Sequence, residues 1–198
     1  MKNYIISQFG RPRGLVGRLV GRIMARENRE RNNWAVSLLN VQPADRILEI
    51  GFGPGLALQQ ISKQAKAGFV AGVDISAVMM SQASKRNSAA IQDGRMQLYQ
   101  GTVGSLPFED DRFDKVLVVN SVHHWPDAMA GLQEVLRVLK PDGTAVFVEQ
   151  PHGVAGEDAE TAVRSRLGKQ IETAGFGHIE TQIRPINGKV VVAFLTAP

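Results

Sequence analysis

The strongest constraint on the fold is a regular alternation of short apolar runs and helix-like segments that begins at Asp45. Five apolar runs of strand length follow one another, at residues 46–50, 68–73, 96–99, 115–119 and 144–148. Between them, apolar residues recur at helical spacing, at residues 56–65, 77–92 and 127–139. Apolar strands that alternate with helices are typical of a parallel sheet, because such strands are buried on both sides. The sequence therefore predicts an α/β fold with helices on both faces of the sheet.

The C-terminal part of the chain has a different pattern. A helical segment at residues 157–174 ends at Gly175, and two apolar runs follow at residues 179–184 and 189–195. The sequence that joins them, PING at residues 185–188, contains the Asn-Gly pair typical of tight hairpin turns. We therefore expect an antiparallel pair of strands at one end of the sheet. With 198 residues and no linker, the chain is expected to form one domain.

Composition excludes several classes of protein. The chain has no cysteine, and therefore no disulfide scaffold, thiol nucleophile or cysteine metal site. Its histidines show no metal-ligand spacing, and His152 and His178 are isolated and expected at the surface. No apolar run reaches the roughly 18 residues of a membrane span, and the first residues lack the pattern of a signal peptide. We therefore predict a cytoplasmic protein without a metal site.

The N-terminal segment is a basic amphipathic arm. Eight Lys and Arg side chains but only two Glu lie within residues 1–33, whereas acidic side chains outnumber basic ones in the rest of the chain. Apolar residues recur there at helical spacing, beside Arg18, Arg22 and Arg26. The basic charge therefore belongs to the arm. The predicted organisation is an arm at residues 1–40, within the same domain, followed by the main body at residues 41–198.

A glycine-rich loop follows the first predicted strand. Its sequence, EIGFGPG at residues 49–55, lies between a strand and a helix. Glycines at such a turn let the backbone bend sharply and let a ligand approach where a Cβ atom would clash. Open α/β sheets bind ligands at the carboxyl ends of their strands, where this loop lies. The dinucleotide fingerprint would need a glycine at the position of Leu56, so the spacing argues against a nicotinamide cofactor.

Asp74 ends the second predicted strand, at the same edge of the sheet as the glycine loop. A carboxylate at this position can accept hydrogen bonds from both hydroxyl groups of a ribose. The structural alternatives are a solvated turn residue or a cap for the next helix, but Ser76 already offers the cap. We therefore predict that Asp74 binds a ribose.

Five motifs in order carry a resemblance to a known family. They are EIGFGPG, GVDIS, GTVGSLPF, FDKVLVVNSVHHW and RVLKPDG, within residues 44–150. Together they resemble the class I S-adenosylmethionine-dependent methyltransferases, most closely the small-molecule group typified by enzymes of ubiquinone biosynthesis. The resemblance implies a Rossmann-like three-layer sandwich with a seven-stranded, mostly parallel sheet whose last strand is antiparallel. It also implies S-adenosylmethionine as cofactor and S-adenosylhomocysteine as product.

The resemblance assigns cofactor contacts to residues of these motifs. Those expected to bind the cofactor are Glu49, Gly51, Gly53, Gly55, Asp74, Ile75, Met79, Thr102, Val103 and Asn120. The glycines would pass close to the methionine part, and Glu49 would hold the loop near its amino group. Asp74 would hold the ribose and Ile75 would pack on the adenine. The backbone carbonyl of Asn120 would face the amino group.

The adenine contact departs from the family pattern. The family often has an acid after the first glycine of GTVGSLPF, where this chain has Thr102. The contact to the adenine amino group then falls to the Thr102 hydroxyl or to the backbone of Val103.

Two adjacent histidines are the candidate catalytic residues. An acceptor that loses a proton during methyl transfer needs a base, and histidine suits that role because its pKa lies near neutrality. His123 and His124 follow the fourth predicted strand, where the acceptor should lie. The structural alternative is that one of them packs beside Trp125 and the other is solvated. The sequence from Asn120 to His123 replaces the N/D-P-P-Y/F/W motif of enzymes that methylate the amino groups of bases, which argues against DNA methylation.

The predicted function is therefore methyl transfer from S-adenosylmethionine to a small molecule, with a hydrophobic acceptor favoured. Two alternatives stay open: an RNA or protein methyltransferase that binds its substrate through the basic arm, and a non-catalytic protein that binds the cofactor. The arm itself has three interpretations. It could cover the domain, close over the acceptor pocket as a lid, or dock to an anionic membrane or an RNA backbone.

Overall fold

The computed structural model describes residues 28–151 and 157–198. The arm up to residue 27, with its three regularly spaced arginines, lies outside the described residues, as does His152. The last part of the predicted 1–40 segment is described, and it forms helix α1 (Arg29–Leu38). Trp34, Ala35 and Val36 of this helix are buried against the body. The end of the segment therefore packs on the domain.

Seven strands and six α-helices make up the described part of the chain. The strands are β1 (Arg46–Ile50), β2 (Phe69–Asp74), β3 (Met96–Gln100), β4 (Phe113–Val119), β5 (Leu139–Glu149), β6 (Ile179–Ile186) and β7 (Lys189–Thr196). The helices after α1 are α2 (Leu56–Gln64), α3 (Ala77–Arg86), α4 (Ser88–Gln92), α5 (Ala128–Val138) and α6 (Glu157–Thr173). A single 3₁₀ turn, Val122–His124, follows β4.

The strands form one sheet in the order β3-β2-β1-β4-β5-β7-β6. All pairs from β3 to β5 are parallel, and β7 runs antiparallel to both β5 and β6. The turn between β6 and β7 has positive φ at Asn187 and Gly188, as tight hairpin turns require. The mostly parallel sheet with an antiparallel last strand and a C-terminal hairpin is therefore confirmed.

The hydrophobic core lies in two layers, one on each face of the sheet. One layer contains Leu132, Val135 and Ile171 from α5 and α6. The other contains Leu58 and Ile61 from α2 together with Trp34 and neighbouring residues of α1. Helices therefore lie against both faces of the sheet, and the predicted three-layer sandwich is confirmed.

The predicted helix at residues 77–92 is interrupted at Asn87, which separates α3 from α4. The Asn87 side chain is buried and its Nδ2 donates to the carbonyl oxygens of Gly55, at 3.1 Å, and Ala83, at 2.9 Å. An asparagine that bonds the backbone in this way competes with regular helix. The interruption therefore ties the helix to the glycine loop.

The fifth strand begins earlier than the sequence predicts. The helix before it ends at Val138, one residue before the predicted end, and β5 starts at Leu139 rather than at residue 144. Leu139 pairs with Phe113, and the register then shifts before Lys115 pairs with Thr144. Pairing with β4 therefore extends β5 over the Lys-Pro-Asp-Gly sequence that precedes the predicted fifth strand.

No helix within residues 28–151 and 157–198 has the length and apolar character needed to cross a membrane.

Candidate cofactor and active site

The glycine loop connects β1 to α2 and adopts a backbone that favours glycine at three positions. Gly51, Gly53 and Gly55 have φ of 76°, 52° and 76°. A Cβ atom on Gly51 would lie 2.3 Å from Ser121 Oγ, and one on Gly55 would lie 2.8 Å from Ala83 Cβ. A Cβ on Gly53 would meet nothing within 4 Å. Gly51 and Gly55 therefore allow close packing of the protein, whereas Gly53 borders open space.

The Asp74 carboxylate holds this loop in place. Its Oδ2 accepts a hydrogen bond from the Gly53 N–H, and its Oδ1 accepts one from the Ser76 N–H, both at 2.8 Å. Ser76 is the cap of α3, because its Oγ accepts from the Met79 N–H. Asp74 is buried, so it is neither a solvated turn residue nor the helix cap. Burial raises its pKa, and the two backbone hydrogen bonds oppose that rise.

Glu49, near the end of β1, is a buried carboxyl group with an unsatisfied oxygen. It is 3% exposed, and its Oε2 has no hydrogen-bond partner within the described part of the chain. Burial raises its pKa to about 8, a hydrogen bond from the Leu58 backbone opposes the rise, and the charge of Asp74 adds to it. A buried acceptor without a partner is costly. Glu49 can therefore gain from a ligand that brings a hydrogen-bond donor or a positive charge.

The chain turns away from the sheet at Asn120, directly after β4. Asn120 has a positive φ of 49°, and its Oδ1 accepts from the Gln150 N–H at 2.8 Å. The next residue, Ser121, accepts a hydrogen bond on Oγ from Trp125 Nε1 at 3.0 Å. Because Ser121 also abuts Gly51, the turn after β4 is packed directly against the glycine loop.

His123 lies in this turn and contacts a carboxylate that the sequence analysis missed. Its Nδ1 is 2.9 Å from Glu149 Oε2 at the end of β5. Glu149 Oε1 accepts from the backbone N–H groups of Ser121, at 3.0 Å, and Val122, at 2.9 Å. The rings of His123 and His124 lie 3.9 Å apart between centroids. The available signal for Glu149 was its place at the end of the fifth apolar run, at the edge where β4 also ends.

The remaining predicted cofactor residues lie around the ends of β2 and β3. Ile75 is half-buried and Thr102 is exposed. The side chain of Met79 is 1% exposed, so it belongs to the protein interior rather than to an open surface. Val103 is buried and its Cγ1 would be 2.9 Å from a Cβ atom on Gly131. This side chain therefore packs toward α5, which leaves the Val103 backbone as the part that could reach a ligand.

Arg137 anchors the loop that carries Thr102 and Val103. Its guanidinium donates to the carbonyl oxygens of Leu106, at 3.3 Å, and Phe108, at 2.8 Å. It also pairs with Glu134, whose Oε2 accepts from the Leu106 N–H at 2.8 Å. These bonds fix the loop after β3 to α5. Within the part of the chain that the structure describes, no three acidic or histidine side chains are arranged to hold a metal ion, and His178 is exposed.

A glycine loop and acidic strand ends at the carboxyl edge of a mostly parallel sheet are typical of α/β proteins that bind nucleosides or nucleotides. Residues 48–147, half of the chain, match the family model described as a methyltransferase domain. The chain belongs to this family and is an S-adenosylmethionine-dependent methyltransferase.

Two relatives and one solved structure illustrate the similarity. YdaC of Bacillus subtilis, named as an uncharacterized methyltransferase, is 33% identical over 178 residues, 88% of this chain and 94% of its own. The ubiquinone/menaquinone biosynthesis C-methyltransferase UbiE of Geotalea daltonii is 29% identical over 123 residues, 62% of this chain and 52% of that enzyme. The chain thus spans about half the length of this UbiE. A SAM-dependent methyltransferase from Aquifex aeolicus has a TM-score of 0.70 over 84% of this chain and 89% of its own, at 16% identity, which shows the shared fold.

The burial of Glu49 predicts how the stability of the ligand-free protein changes with pH. Below about pH 4.5 the carboxyl is protonated in both the folded and the unfolded chain, so it contributes nothing. Between 4.5 and about 8 only the unfolded chain loses the proton, which lowers the free energy of unfolding by about 5 kcal/mol. We expect Glu49→Gln to remove this loss, so that urea unfolding finds the variant more stable than wild type at the upper end of the range.

Glu109→Gln is the matched control, because it changes an exposed carboxyl in the same way. It should follow the wild-type pH dependence. If Glu49→Gln also follows the wild-type curve, the interpretation of Glu49 as a carboxyl that stays protonated in the ligand-free protein is wrong.

Proposed function

We propose that this methyltransferase acts on a small hydrophobic acceptor and that a histidine of the Val122–His124 turn removes the acceptor's proton. One observation carries the proposal: the glycine loop, Asp74 and the His123–Glu149 pair all lie at the carboxyl ends of adjacent strands. A cofactor on the loop and an acceptor beside the histidines would therefore be neighbours. Alignment of this kind is worth up to about 7–11 kcal/mol of the barrier in favourable cases.

The residues of the loop fit S-adenosylmethionine. The unsatisfied Oε2 of Glu49 suits the cofactor's ammonium group, and the open space beside Gly53 admits a chain that a Cβ atom would obstruct. Each Asp74 oxygen uses one hydrogen bond for the protein and keeps a second lone pair for a ribose hydroxyl. When bound, the cofactor supplies a methyl group on a positively charged sulfur that leaves readily.

Ile75, which is half-buried beside Asp74, is the proposed packing surface for the adenine. The Val103 backbone and the exposed Thr102 hydroxyl are the proposed partners of the adenine amino group. The backbone carbonyl of Asn120 is the proposed second contact of the ammonium group. Met79 would act from the interior, by supporting the start of α3.

The chain's own residues would remove the proton of the acceptor. An acceptor hydroxyl or acidic carbon becomes a stronger nucleophile when a base takes its proton, and a positioned base contributes about 10²–10⁴-fold. His123 and His124 lie one and two residues after the buried Val122, and both are exposed. They are therefore accessible to an acceptor at this edge of the sheet.

The similarity to UbiE supports the acceptor class. That relative is named as a C-methyltransferase of ubiquinone and menaquinone biosynthesis, and the match extends over 123 residues of this chain. A ring with a hydroxyl group, attached to an apolar chain, is therefore the proposed type of acceptor. An RNA or protein acceptor would instead need a charged docking surface, and Arg18, Arg22 and Arg26 of the predicted arm, which could supply it, lie outside the described residues.

Removal of the Asp74 carboxylate should weaken cofactor binding. Loss of the charge-assisted bonds to the ribose, at about 1.5–3 kcal/mol each, predicts at least about 10-fold weaker binding of S-adenosylhomocysteine to Asp74→Ala. Calorimetric titration measures this, with NAD as the control ligand and Asp142→Ala as the control variant because Asp142 is exposed. Thermal unfolding verifies that Asp74→Ala is folded. Unchanged affinity of a folded Asp74→Ala would contradict the ribose contact.

Cofactor binding should also release a proton from Glu49. At about pH 7, one unit below its pKa of about 8, roughly nine in ten of these carboxyls are protonated in the ligand-free protein. A bound ammonium group favours the ionised form, so the proton leaves. Titration with S-adenosylhomocysteine in buffers of different ionisation enthalpy should give nearly one proton released for wild type and none for Glu49→Gln. Release that is equal in the two proteins would mean that Glu49 does not face the ammonium group.

Replacement of both turn histidines should stop transfer without affecting the cofactor. For His123→Ala/His124→Ala we expect at least about 100-fold slower transfer of a radiolabelled methyl group to phenol and quinol acceptors with apolar chains. Affinity for S-adenosylhomocysteine should stay unchanged, and the exposed His178→Ala is the control. Transfer at the wild-type rate in the double variant would eliminate the histidines as bases. Transfer to RNA or protein but to no small acceptor would overturn the proposed acceptor class.

A further inference from the structure

We infer that Glu149 is a positioning residue: it holds His123 in the tautomer with the proton on Nδ1, so that Nε2 carries the lone pair that accepts the proton of the acceptor. The catalytic part of this inference rests on the proposed function. The tautomer itself follows from the hydrogen bonds within the protein and can be measured without substrate or cofactor.

The Glu149 carboxylate makes three polar contacts within the protein. It is 5% exposed at the end of β5, and Oε1 accepts from two backbone N–H groups, those of Ser121 and Val122. Its other oxygen, Oε2, is 2.9 Å from Nδ1 of His123. The rotation of the carboxylate is therefore fixed by the turn after β4, and one oxygen is directed at the imidazole ring.

An ionised carboxylate accepts hydrogen bonds and donates none. The Nδ1 atom must therefore be the donor in the contact with Glu149, and in the neutral ring the lone pair then lies on Nε2. The same contact distinguishes the two histidines. The carboxylate contacts the ring of His123, and the His124 ring lies beside that ring, with 3.9 Å between centroids and an angle of 49° between the planes. The contact with Glu149 therefore assigns the base to His123.

In the proposed step, Nε2 of His123 takes the proton of the acceptor. The acceptor's O–H or C–H bond breaks, its proton forms a bond to Nε2, and the electron pair stays on the acceptor atom. The imidazole becomes an imidazolium, whose Nδ1–H still donates to the negatively charged Glu149. The buried carboxylate therefore stabilises the charge that forms on the base, and the proton later leaves to solvent through the exposed edge of the ring.

Glu149→Gln reverses the direction of the hydrogen bond to Nδ1 of His123 without changing the size of the side chain. The amide has one oxygen, and that oxygen is needed by the N–H groups of Ser121 and Val122. Its NH₂ group would then face Nδ1 of His123, which can accept that bond only if the ring proton moves to Nε2. The variant therefore places the proton on the atom that should take it from the acceptor. If Glu149 served only to accept the hydrogen bonds of Ser121 and Val122, the substitution would have no effect, because the amide oxygen keeps both bonds.

Long-range ¹H–¹⁵N correlation spectra of the ¹⁵N-histidine-labelled full chain measure the tautomer directly. They are recorded over a range of pH, and the tautomer is assigned at the alkaline end, where the ring signals no longer change with pH. The signals of His123 are identified by their loss in His123→Ala. We expect the Nδ1–H pattern in wild type and the Nε2–H pattern in Glu149→Gln. A wild-type ring with the proton on Nε2, or a Glu149→Gln ring that keeps it on Nδ1, overturns the inference. If Glu149→Gln does not fold, the wild-type spectrum alone decides.

Kinetics of the same variant tests the catalytic role. We expect kcat of Glu149→Gln to fall at least about 100-fold while KM and the affinity for S-adenosylhomocysteine stay near wild type. Glu109→Gln, which changes an exposed carboxyl, should leave kcat unchanged. A shifted tautomer with a normal kcat overturns the positioning role. A loss of activity in His123→Ala together with an unchanged tautomer and kcat in Glu149→Gln also overturns it, and leaves the proposed function in place.

Discussion

The hydrogen bond between the Asp74 carboxylate and the Gly53 N–H is the contact on which the geometry of the site depends. Three glycines in left-handed backbone give this loop little conformational preference of its own, so contacts with the rest of the protein are needed to fix its shape. Asp74 supplies that restraint from the next strand, and its other oxygen fixes the start of α3 through the Ser76 N–H. One side chain thus joins the two turns that would surround the cofactor. The proposed ribose contact would use the same carboxylate, so the shape of the loop and the binding of the ribose are coupled.

Three buried carboxyls at the carboxyl edge of the sheet differ in how their burial is offset. Asp74 receives two backbone hydrogen bonds, and Glu149 receives two together with the contact to His123. Glu49 keeps one oxygen without a partner, and burial raises its pKa to about 8. The desolvation of a carboxylate is costly unless hydrogen bonds or opposite charges replace the lost water. Hydrogen bonds within the protein therefore offset much of the desolvation of Asp74 and Glu149. Glu49 lacks this compensation on one oxygen, so a cationic ligand would stabilise it the most.

The fold could be predicted to a large extent because its signals are local. Apolar runs such as the first one, which became β1 with unchanged bounds, and the Asn-Gly turn before β7 depend on residues that are neighbours in the chain. The errors arose where distant residues intervene. Asn87 interrupts a helical pattern because it bonds Gly55, 32 residues away, and Leu139 joins β5 because Phe113 pairs with it. Neither partner can be read from the periodicity of its own segment.

The sequence by itself determined the α/β class, the glycine loop with its acidic strand end, and the two histidines after the fourth strand. Each of these depends on the backbone preferences or the spacing of residues that lie close together in the sequence. Only the tertiary structure decided that Glu149 reaches His123, 26 residues away. That contact exists because β4 and β5 are neighbours in register, so that Val119 pairs with Val148 and both strands end at the same edge. Strand order and register are settled by packing of the whole sheet, and a single stretch of sequence does not contain them.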